Sequence, residues 1–156
     1  MDVPGAITDE TALRAVIGGE AQPVVVSKIA DHLNDLTRQF IERARFVCIA
    51  TAAADGSCDV SPRGDPAGFV RILDERTLLI PDRPGNRIAD SLRNILANPH
   101  VGLLFVIPGV GDTFRVNGRA SVIEDRELLS LLLERCVCDR THGLQVVDDR
   151  PPVLWS

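Results

Sequence analysis

The sequence lacks an excess of positive charge. It contains 17 Lys and Arg residues against 22 Asp and Glu residues, which gives a net charge of −5. General nucleic-acid binding needs a basic surface that displaces counterions from phosphates, so this function is disfavoured. No stretch approaches the roughly 18 apolar residues of a membrane span, and residues 1–10 lack the basic start and apolar centre of a signal peptide. We therefore expect a cytoplasmic protein that binds neither nucleic acid nor membrane.

Residues for metal binding or covalent catalysis are few and poorly spaced. The three histidines have no metal-ligand spacing, and no Gly-x-Ser-x-Gly elbow or Walker phosphate loop is present. No Cys-x-x-Cys pair occurs, so we expect free thiols, with a redox or metal pair at Cys136 and Cys138 as the weaker alternative. Cys48 and Cys58 are the other two cysteines. We predict no metal site, and an enzyme of this sequence would take its reactivity from a cofactor.

The 156 residues fit one domain with a sizeable core. Residues 1–26 resemble an appended arm, in which Thr8 or Asp9 begins a short helix that Gly18 ends. The main domain then spans residues 27–156 and starts with an amphipathic helix over about 27–43.

Short apolar runs follow this helix and predict strands separated by turns. We predict strands over residues 46–51, 57–60, 69–73, 77–80, 101–107 and 113–123, and helices over about 87–97 and from residue 124. The run at residues 144–147 is too short to predict a strand. The pattern is that of a mainly β protein with flanking helices, in which an antiparallel meander forms a partly open barrel.

The sequence from Leu78 to Leu92 predicts a strand, a tight turn and a helix. A helix N-terminus leaves backbone N–H groups unpaired and carries partial positive charge, so this stretch, with Asn86 and Arg87, suits a phosphate or another anion. A strand-to-helix turn needs Pro, Gly and Asn for its geometry alone, which is the structural alternative.

A second turn, Ser61–Pro66, also combines turn residues with charge and should break the second strand. Arg63 and Arg87 would lie at the ends of neighbouring strands in a meander, where their guanidinium groups could clamp one phosphate. The alternative is a turn in which Arg63 pairs with Asp65.

Several motifs in this order resemble the FMN-binding split-barrel proteins related to pyridoxamine 5′-phosphate oxidase. The similarity is greatest to a bacterial subgroup described only as FMN-dependent enzymes. It covers about three fifths of the chain and is carried by residues 28–40, 46–51, 59–66, 79–87, 98–105 and 115–120.

The resemblance implies a six-stranded antiparallel split barrel of the FMN-binding type. It also implies a homodimer that binds one FMN in each of two clefts at the subunit interface. By position, Arg63, Asn86 and Arg87 would hold the phosphate, with Gly64 and Asp65 beside it. The backbone of Ile80, Pro81 and Asp82 would follow the flavin ring, and Thr113 would contact flavin from the same or the other subunit.

The implied activity is two-electron transfer through the flavin to a small-molecule substrate. The alternatives are a non-catalytic flavin- or haem-binding split barrel and a deazaflavin-dependent reductase. The chain departs from the subgroup after Pro151 and Pro152. In the subgroup, a Pro-Pro segment like this one leads into another apolar strand and a tail. Here only residues 153–156 follow, so the closing strand is expected to differ or to be absent.

Overall fold

The computed structural model describes residues 3–19, 22–23, 30, 32–83, 87–133, 143–148 and 153–155. The described residues contain four helices, α1 (Glu10–Ile17), α2 (Asp35–Arg43), α3 (Asp90–Ala97) and α4 (Arg126–Leu133). The first four strands are β1 (Phe46–Ala52), β2 (Cys58–Gly64), β3 (Arg71–Ile72) and β4 (Thr77–Pro81). The others are β5 (His100–Val106), β6 (Thr113–Ile123), β7 (Gly143–Asp148) and β8 (Val153–Trp155).

All paired strands are antiparallel and belong to one sheet of eight strands. Its order is β2-β1-β5-β6-β7-β4-β3, and β8 pairs with the first residues of β6. β7 is a central strand, because it pairs with β6 on one side and with β4 on the other. It therefore joins the two halves of the sheet.

The sheet curls so that its two ends approach each other. Five strand pairings separate β2 from β4, yet Nη2 of Arg63 in β2 lies 3.1 Å from Oδ1 of Asp82, directly after β4. In a flat sheet, two strands separated by five pairings would lie about 24 Å apart, at about 4.8 Å per pairing. The fold is therefore a mainly antiparallel, partly open barrel with flanking helices, as predicted, although the described strands number eight instead of six.

The core lies inside the curl. Buried apolar side chains from five strands line it, namely Val47, Ile49, Leu78, Ile80, Leu103, Phe105, Phe114, Val116, Leu144 and Val146. Ile41 of α2 and Ile95 of α3 pack into the same cluster. On the other side of β4, Leu79 packs against Leu129 and Leu132 of α4. Every residue of β4 is consequently buried, which gives the turn after it a rigid base.

Two sequence predictions about β2 are wrong. Its pairing with β1 continues through Ser61, Pro62, Arg63 and Gly64, so the turn residues do not break the strand. Pro62 is tolerated because β2 is an edge strand of the described sheet, where a missing N–H removes no ladder hydrogen bond. β2 also does not neighbour β3 or β4, so the predicted meander of the first four strands is not formed.

Two further boundaries differ from the sequence predictions. Helix α2 begins at Asp35, because the side chain of Asn34 caps it by accepting from the Thr37 N–H at 3.0 Å. Residues 144–147, which the pattern left without a strand, lie in β7.

The helix of the N-terminal arm is confirmed. The side chain of Asp9 accepts a hydrogen bond from the Ala12 N–H at 2.9 Å, and Gly18 ends α1 with φ 85°. Cys136 and Cys138 lie outside the described residues, whereas Cys48 and Cys58 are free thiols, as expected. No helix within the described ranges is both long and apolar enough to cross a membrane.

Candidate functional site

Arg63 lies on the inner side of β2, paired across the strands with the buried Val47. Its Nη1 donates to the carbonyl oxygen of Pro62 at 3.0 Å and to the hydroxyl of Ser61. Its Nη2 donates to Oδ1 of Asp82 at 3.1 Å. These bonds fix the guanidinium between the ends of two strands, with 18% of the side chain exposed.

These three bonds leave part of the Arg63 guanidinium without an acceptor. Its Nε is buried and has no hydrogen-bond partner among the described residues. A buried donor without a partner costs about 1–3 kcal/mol, so such groups are rare in folded proteins. Nε and Nη2 form the edge of a guanidinium that binds two oxygens of a carboxylate or phosphate side by side. Asp82 accepts from Nη2, so Nε on this edge can donate to an oxygen of a ligand.

A second ion pair joins the same two turns. Nε of Arg83, after β4, donates to Oδ2 of Asp65 at 2.8 Å, and Nη2 of Arg83 donates to Oδ1 of the same carboxylate. Only 3% of the Asp65 side chain is exposed, and the Asp65 N–H donates to the Arg45 carbonyl at 3.1 Å. The turn alternative, in which Arg63 pairs with Asp65, is therefore wrong, since each arginine pairs with an aspartate of the other turn.

Arg87 differs from Arg63 in its surroundings. It is exposed, and it forms no ion pair with any residue that the structure describes. Its backbone has φ 62°, and Ala89 has φ 59°. Left-handed backbone at residues other than glycine costs about 1–3 kcal/mol and concentrates at functional sites. Ala89 is also the N-cap of α3 and gives no side-chain hydrogen bond, so the first N–H groups of this helix lack a side-chain cap.

Helix α3 is fixed to the sheet by two side-chain hydrogen bonds. The buried Ser91 donates to Oδ2 of Asp59 in β2 at 2.6 Å. Asn94 donates from Nδ2 to the hydroxyl of Thr51 in β1 at 3.1 Å. The start of α3 is thereby held beside the strand that carries Arg63. Sequence reasoning did not predict these polar anchors, although Asp59 has the same two-residue spacing along β2 as Ser61 and Arg63.

The structure brings most of the predicted site residues together. Arg63, Gly64 and Asp65 meet the turn after Ile80 and Pro81 through the two ion pairs. Asp82 contributes its carboxylate, with 8% of the residue exposed, a contact that the sequence did not predict. Asn86 lies outside the described residues.

Thr113 does not touch this cluster. Cross-strand pairing links Gly64 to Phe46, Phe46 to Val106 and Val106 to Thr113. Thr113 is therefore three strand pairings from Gly64. At about 4.8 Å per pairing, this is a separation of about 14 Å. A ligand that reached both residues would have to be extended, or Thr113 would have to belong to another copy of the chain.

A second concavity lies at the opposite end of β2. It is an open groove of about 510 Å³, lined by Ala50, Thr51, Ala52, Cys58, Asp59, Val60, Asn98, His100, Val101, Gly102, Asn117 and Gly118. None of these residues is Arg or Lys, so the groove lacks the strong cation that an anionic ligand requires. Among the described residues, no group of three or more His, Cys, Asp or Glu side chains could hold a metal ion.

The described residues near the gap of the curled antiparallel sheet therefore include groups that can bind an anion. These groups are a fixed guanidinium with an unpaired N–H, an exposed arginine in a left-handed turn and a helix start without a side-chain cap. The fold is that of a split-barrel protein, and the gap of the barrel is its candidate binding cleft.

Residues 33–150 match the sequence profile of the family described as pyridoxamine 5′-phosphate oxidase. Because the match covers more than half of the chain, the protein belongs to this family. No curated protein matches the chain in a direct sequence comparison.

Solved structures share the fold at low sequence identity. HupZ from Group A Streptococcus superposes with a TM-score of 0.62 and 15% identity, covering 76% of this chain and 91% of HupZ. An FMN-binding protein from Syntrophomonas wolfei gives a TM-score of 0.56 and 13% identity, with coverage of 78% and 89%. HutZ, the haem storage protein of Vibrio cholerae, gives 0.58 and 17% identity, with coverage of 78% and 94%.

Proposed function

We propose that the protein is an FMN-dependent oxidoreductase that acts on a small molecule. The observation that carries this proposal is the buried, unpaired Nε of Arg63 at the gap of the barrel. The phosphate of FMN offers oxygens that a guanidinium edge binds side by side. Family membership and the fold shared with an FMN-binding protein support the same cofactor. The cytoplasmic location expected from the sequence is part of this proposal.

In this proposal Arg63, Asn86 and Arg87 hold the phosphate. Arg63 supplies a fixed, partly buried charge, and Arg87 supplies an exposed one. Gly64 and Asp65 lie beside the phosphate, and the Asp65 carboxylate is already neutralised by Arg83. The uncapped N–H groups at the start of α3 add a partial positive charge.

The ring of the flavin would lie along the backbone of Ile80, Pro81 and Asp82. β4 is buried on both faces and pairs with β7 through Pro81, so this backbone would be a rigid support for a planar ligand. FMN supplies the two-electron chemistry, since no described residue at the cleft is recognisable as a nucleophile or as a metal ligand. The chain supplies binding, orientation and exclusion of water.

We also propose a homodimer with the flavin site at the interface. The outer face of β1 and β2 carries exposed apolar side chains, with Phe46 37% and Val60 62% exposed. An apolar face of this kind is typical of a protein–protein contact. A second copy on this face could bring its own Thr113 to the flavin, which would resolve the separation of Thr113 from Gly64.

The main alternative, a haem-binding split barrel, is supported by the fold shared with HutZ. Haem iron needs an axial ligand such as His, Cys, Met or Tyr. The described hydrogen-bond partners of Arg63 are Ser61, Pro62 and Asp82, all of which present oxygen. A deazaflavin carries phosphate as FMN does, so this second alternative would use the same arginines.

The identity of the cofactor is tested on the purified protein by its visible absorption spectrum, followed by release of the chromophore and mass spectrometry. We expect FMN, either retained or taken up when added. Released haem or deazaflavin would select one of the alternatives. A colourless protein that fails to bind added FMN would contradict the proposal.

A further inference from the structure

We propose that Ser61 is a positioning residue of the proposed phosphate site, where its hydroxyl holds the guanidinium of Arg63 in one orientation before a ligand binds. This inference rests on the proposed function and deepens it, because it names a residue that acts on the phosphate through another side chain. It adds a neutral side chain to a phosphate site that otherwise depends on Arg63, Asn86 and Arg87.

The register of β2 places Ser61 and Arg63 on the same face of the strand. They are two residues apart, and alternate residues of a strand lie on the same side of the sheet. Ser61 pairs across the strands with Ile49 and Arg63 pairs with Val47, and both of these partners are completely buried. Ser61 and Arg63 are half-buried, whereas the β2 residues on either side of them are exposed. The two side chains therefore leave the strand on its inner side, at a spacing that the backbone fixes.

Nη1 of Arg63 has two acceptors within β2. It donates to the Ser61 hydroxyl and to the Pro62 carbonyl, the latter at 3.0 Å. A guanidinium is planar and rigid, so two acceptors on one nitrogen fix the direction of the whole group. The direction of the buried Nε, and of the Nη2 that contacts Asp82 across the gap, is thereby set from the strand itself.

The three described acceptors of Arg63 contribute in different ways. The Pro62 carbonyl is part of the main chain, and Asp82 is a charged side chain on the far side of the gap. Ser61 is neutral and lies on the same strand, so it orients the guanidinium without reducing the positive charge that attracts phosphate. An arginine side chain loses much rotamer freedom when it is fixed. A bond that fixes it before the ligand arrives strengthens binding, because less freedom is lost on association.

Titration calorimetry of the purified, cofactor-free protein with FMN and riboflavin tests this role. We expect Ser61→Ala to weaken FMN binding about five-fold, the scale of one hydrogen bond, with riboflavin affinity unchanged because riboflavin has no phosphate. Ser61→Thr keeps the hydroxyl and should restore most of the loss. The matched control is Ser121→Ala, at an exposed position of β6, which should change neither affinity. An unchanged preference for FMN over riboflavin in Ser61→Ala would overturn the inference.

A double-mutant cycle shows whether Ser61 acts through Arg63. Residues that act as a unit give non-additive changes, so Ser61→Ala should cause no further loss of FMN affinity in the Arg63→Ala background. In the Arg87→Ala background the full loss should remain, because Arg63 is the described partner of the Ser61 hydroxyl. Equal losses in the two backgrounds would overturn the positioning role.

The single variant Arg63→Ala separates this inference from the proposed function. If it leaves FMN affinity unchanged, Arg63 does not bind the phosphate and the proposed site itself is wrong. If it weakens FMN binding while Ser61→Ala does not, the phosphate site stands and the role of Ser61 is wrong.

A measurement without ligand follows the guanidinium directly. Rotation about the Nε–Cζ bond of Arg63 is measured by NMR in the cofactor-free protein, and the signal is assigned by its loss in Arg63→Lys. We expect slow rotation in wild type and in Ser61→Thr, and faster rotation in Ser61→Ala, where Nη1 keeps only the Pro62 carbonyl of its two described acceptors. Equal rotation rates in wild type and Ser61→Ala would overturn the inference.

Discussion

At the scale of single residues, the two arginines of the proposed phosphate site differ in how they are held. Arg63 is partly buried and fixed by three hydrogen-bond partners from its own chain. Arg87 is exposed, without a described ion pair, and lies in left-handed backbone. A fixed guanidinium gives geometric selectivity for phosphate, whereas an exposed one mainly adds charge.

We predict that Arg87→Ala weakens FMN binding by about 1.5–3 kcal/mol, the scale of a lost charge-assisted hydrogen bond. Riboflavin binding should change much less, because the lost contact is to the phosphate. Titration calorimetry with both ligands measures the difference. Arg93→Ala is the matched control, since Arg93 is also exposed and its described partner is Asp90 on the same helix. Equal losses in the two variants would argue against a specific role for Arg87.

Sequence reasoning found both turns of the site but not their contacts. Arg63 and Arg87 stand out because turn residues and positive charge coincide. The pairing of Arg63 with Asp82 could not be found in the same way, because it joins residues that come together only through the curl of the whole sheet. The predicted pairing of Arg63 with Asp65 relied on nearness in sequence. In the structure each of these two residues instead pairs with a residue of the turn after β4.

At the scale of secondary-structure elements, helix α3 connects the phosphate site to the sheet. Ser91 and Asn94 fix one face of the helix to β2 and β1, and Ile95 anchors it in the core. The unusual backbone at Arg87 and Ala89 lies between this anchored helix and the rigid end of β4. The surrounding structure thus offsets the local strain of the turn.

We predict that Ser91→Ala lowers the free energy of unfolding by about 1–3 kcal/mol, because it removes a buried donor and leaves the Asp59 carboxylate without that bond. Denaturant unfolding measures the change. Ser130→Ala is a suitable control, since Ser130 is exposed and the described partner of its hydroxyl is the Glu127 carbonyl of its own helix. Its effect should stay within about 0.5 kcal/mol. A Ser91 variant as stable as the Ser130 variant would show that this anchor contributes little.

Elements with a clear periodicity were predicted well. β6 has the predicted bounds, because Phe114 and Val116 alternate with Arg115 and Asn117 along a half-buried strand. β2 and β7 were predicted poorly, because their formation depends on tertiary contacts. β2 keeps Pro62 because it is an edge strand, and β7 forms from a short run because β4 and β6 provide partners on both sides.

At the scale of the whole molecule, the sheet order creates the cleft. β2 and β4 lie far apart in the order of pairing and close together in space. This order depends on contacts between distant parts of the chain, so local patterns cannot predict it. The same arrangement leaves the outer face of β1 and β2 available to a second copy.

We predict that the protein is a dimer in solution and that Val60→Glu shifts it toward a monomer of 16.9 kDa. A charge on the apolar outer face should oppose contact between copies, while Val60 is 62% exposed and contributes little to the core. Light scattering coupled to size exclusion measures the mass. Leu96→Glu, at a 77% exposed position on α3, is the control. A wild-type protein that is monomeric at high concentration would contradict the dimer.

We claim above all that Arg63 binds the phosphate of FMN. The most direct test of this claim is a paired titration of FMN and riboflavin into the cofactor-free wild-type protein, Arg63→Ala and Arg63→Lys. We expect FMN to bind wild type more tightly than riboflavin does, this preference to vanish in Arg63→Ala, and Arg63→Lys to restore only part of it, because lysine keeps the charge but lacks the two-donor edge. A preference for FMN that survives in Arg63→Ala would contradict the claim.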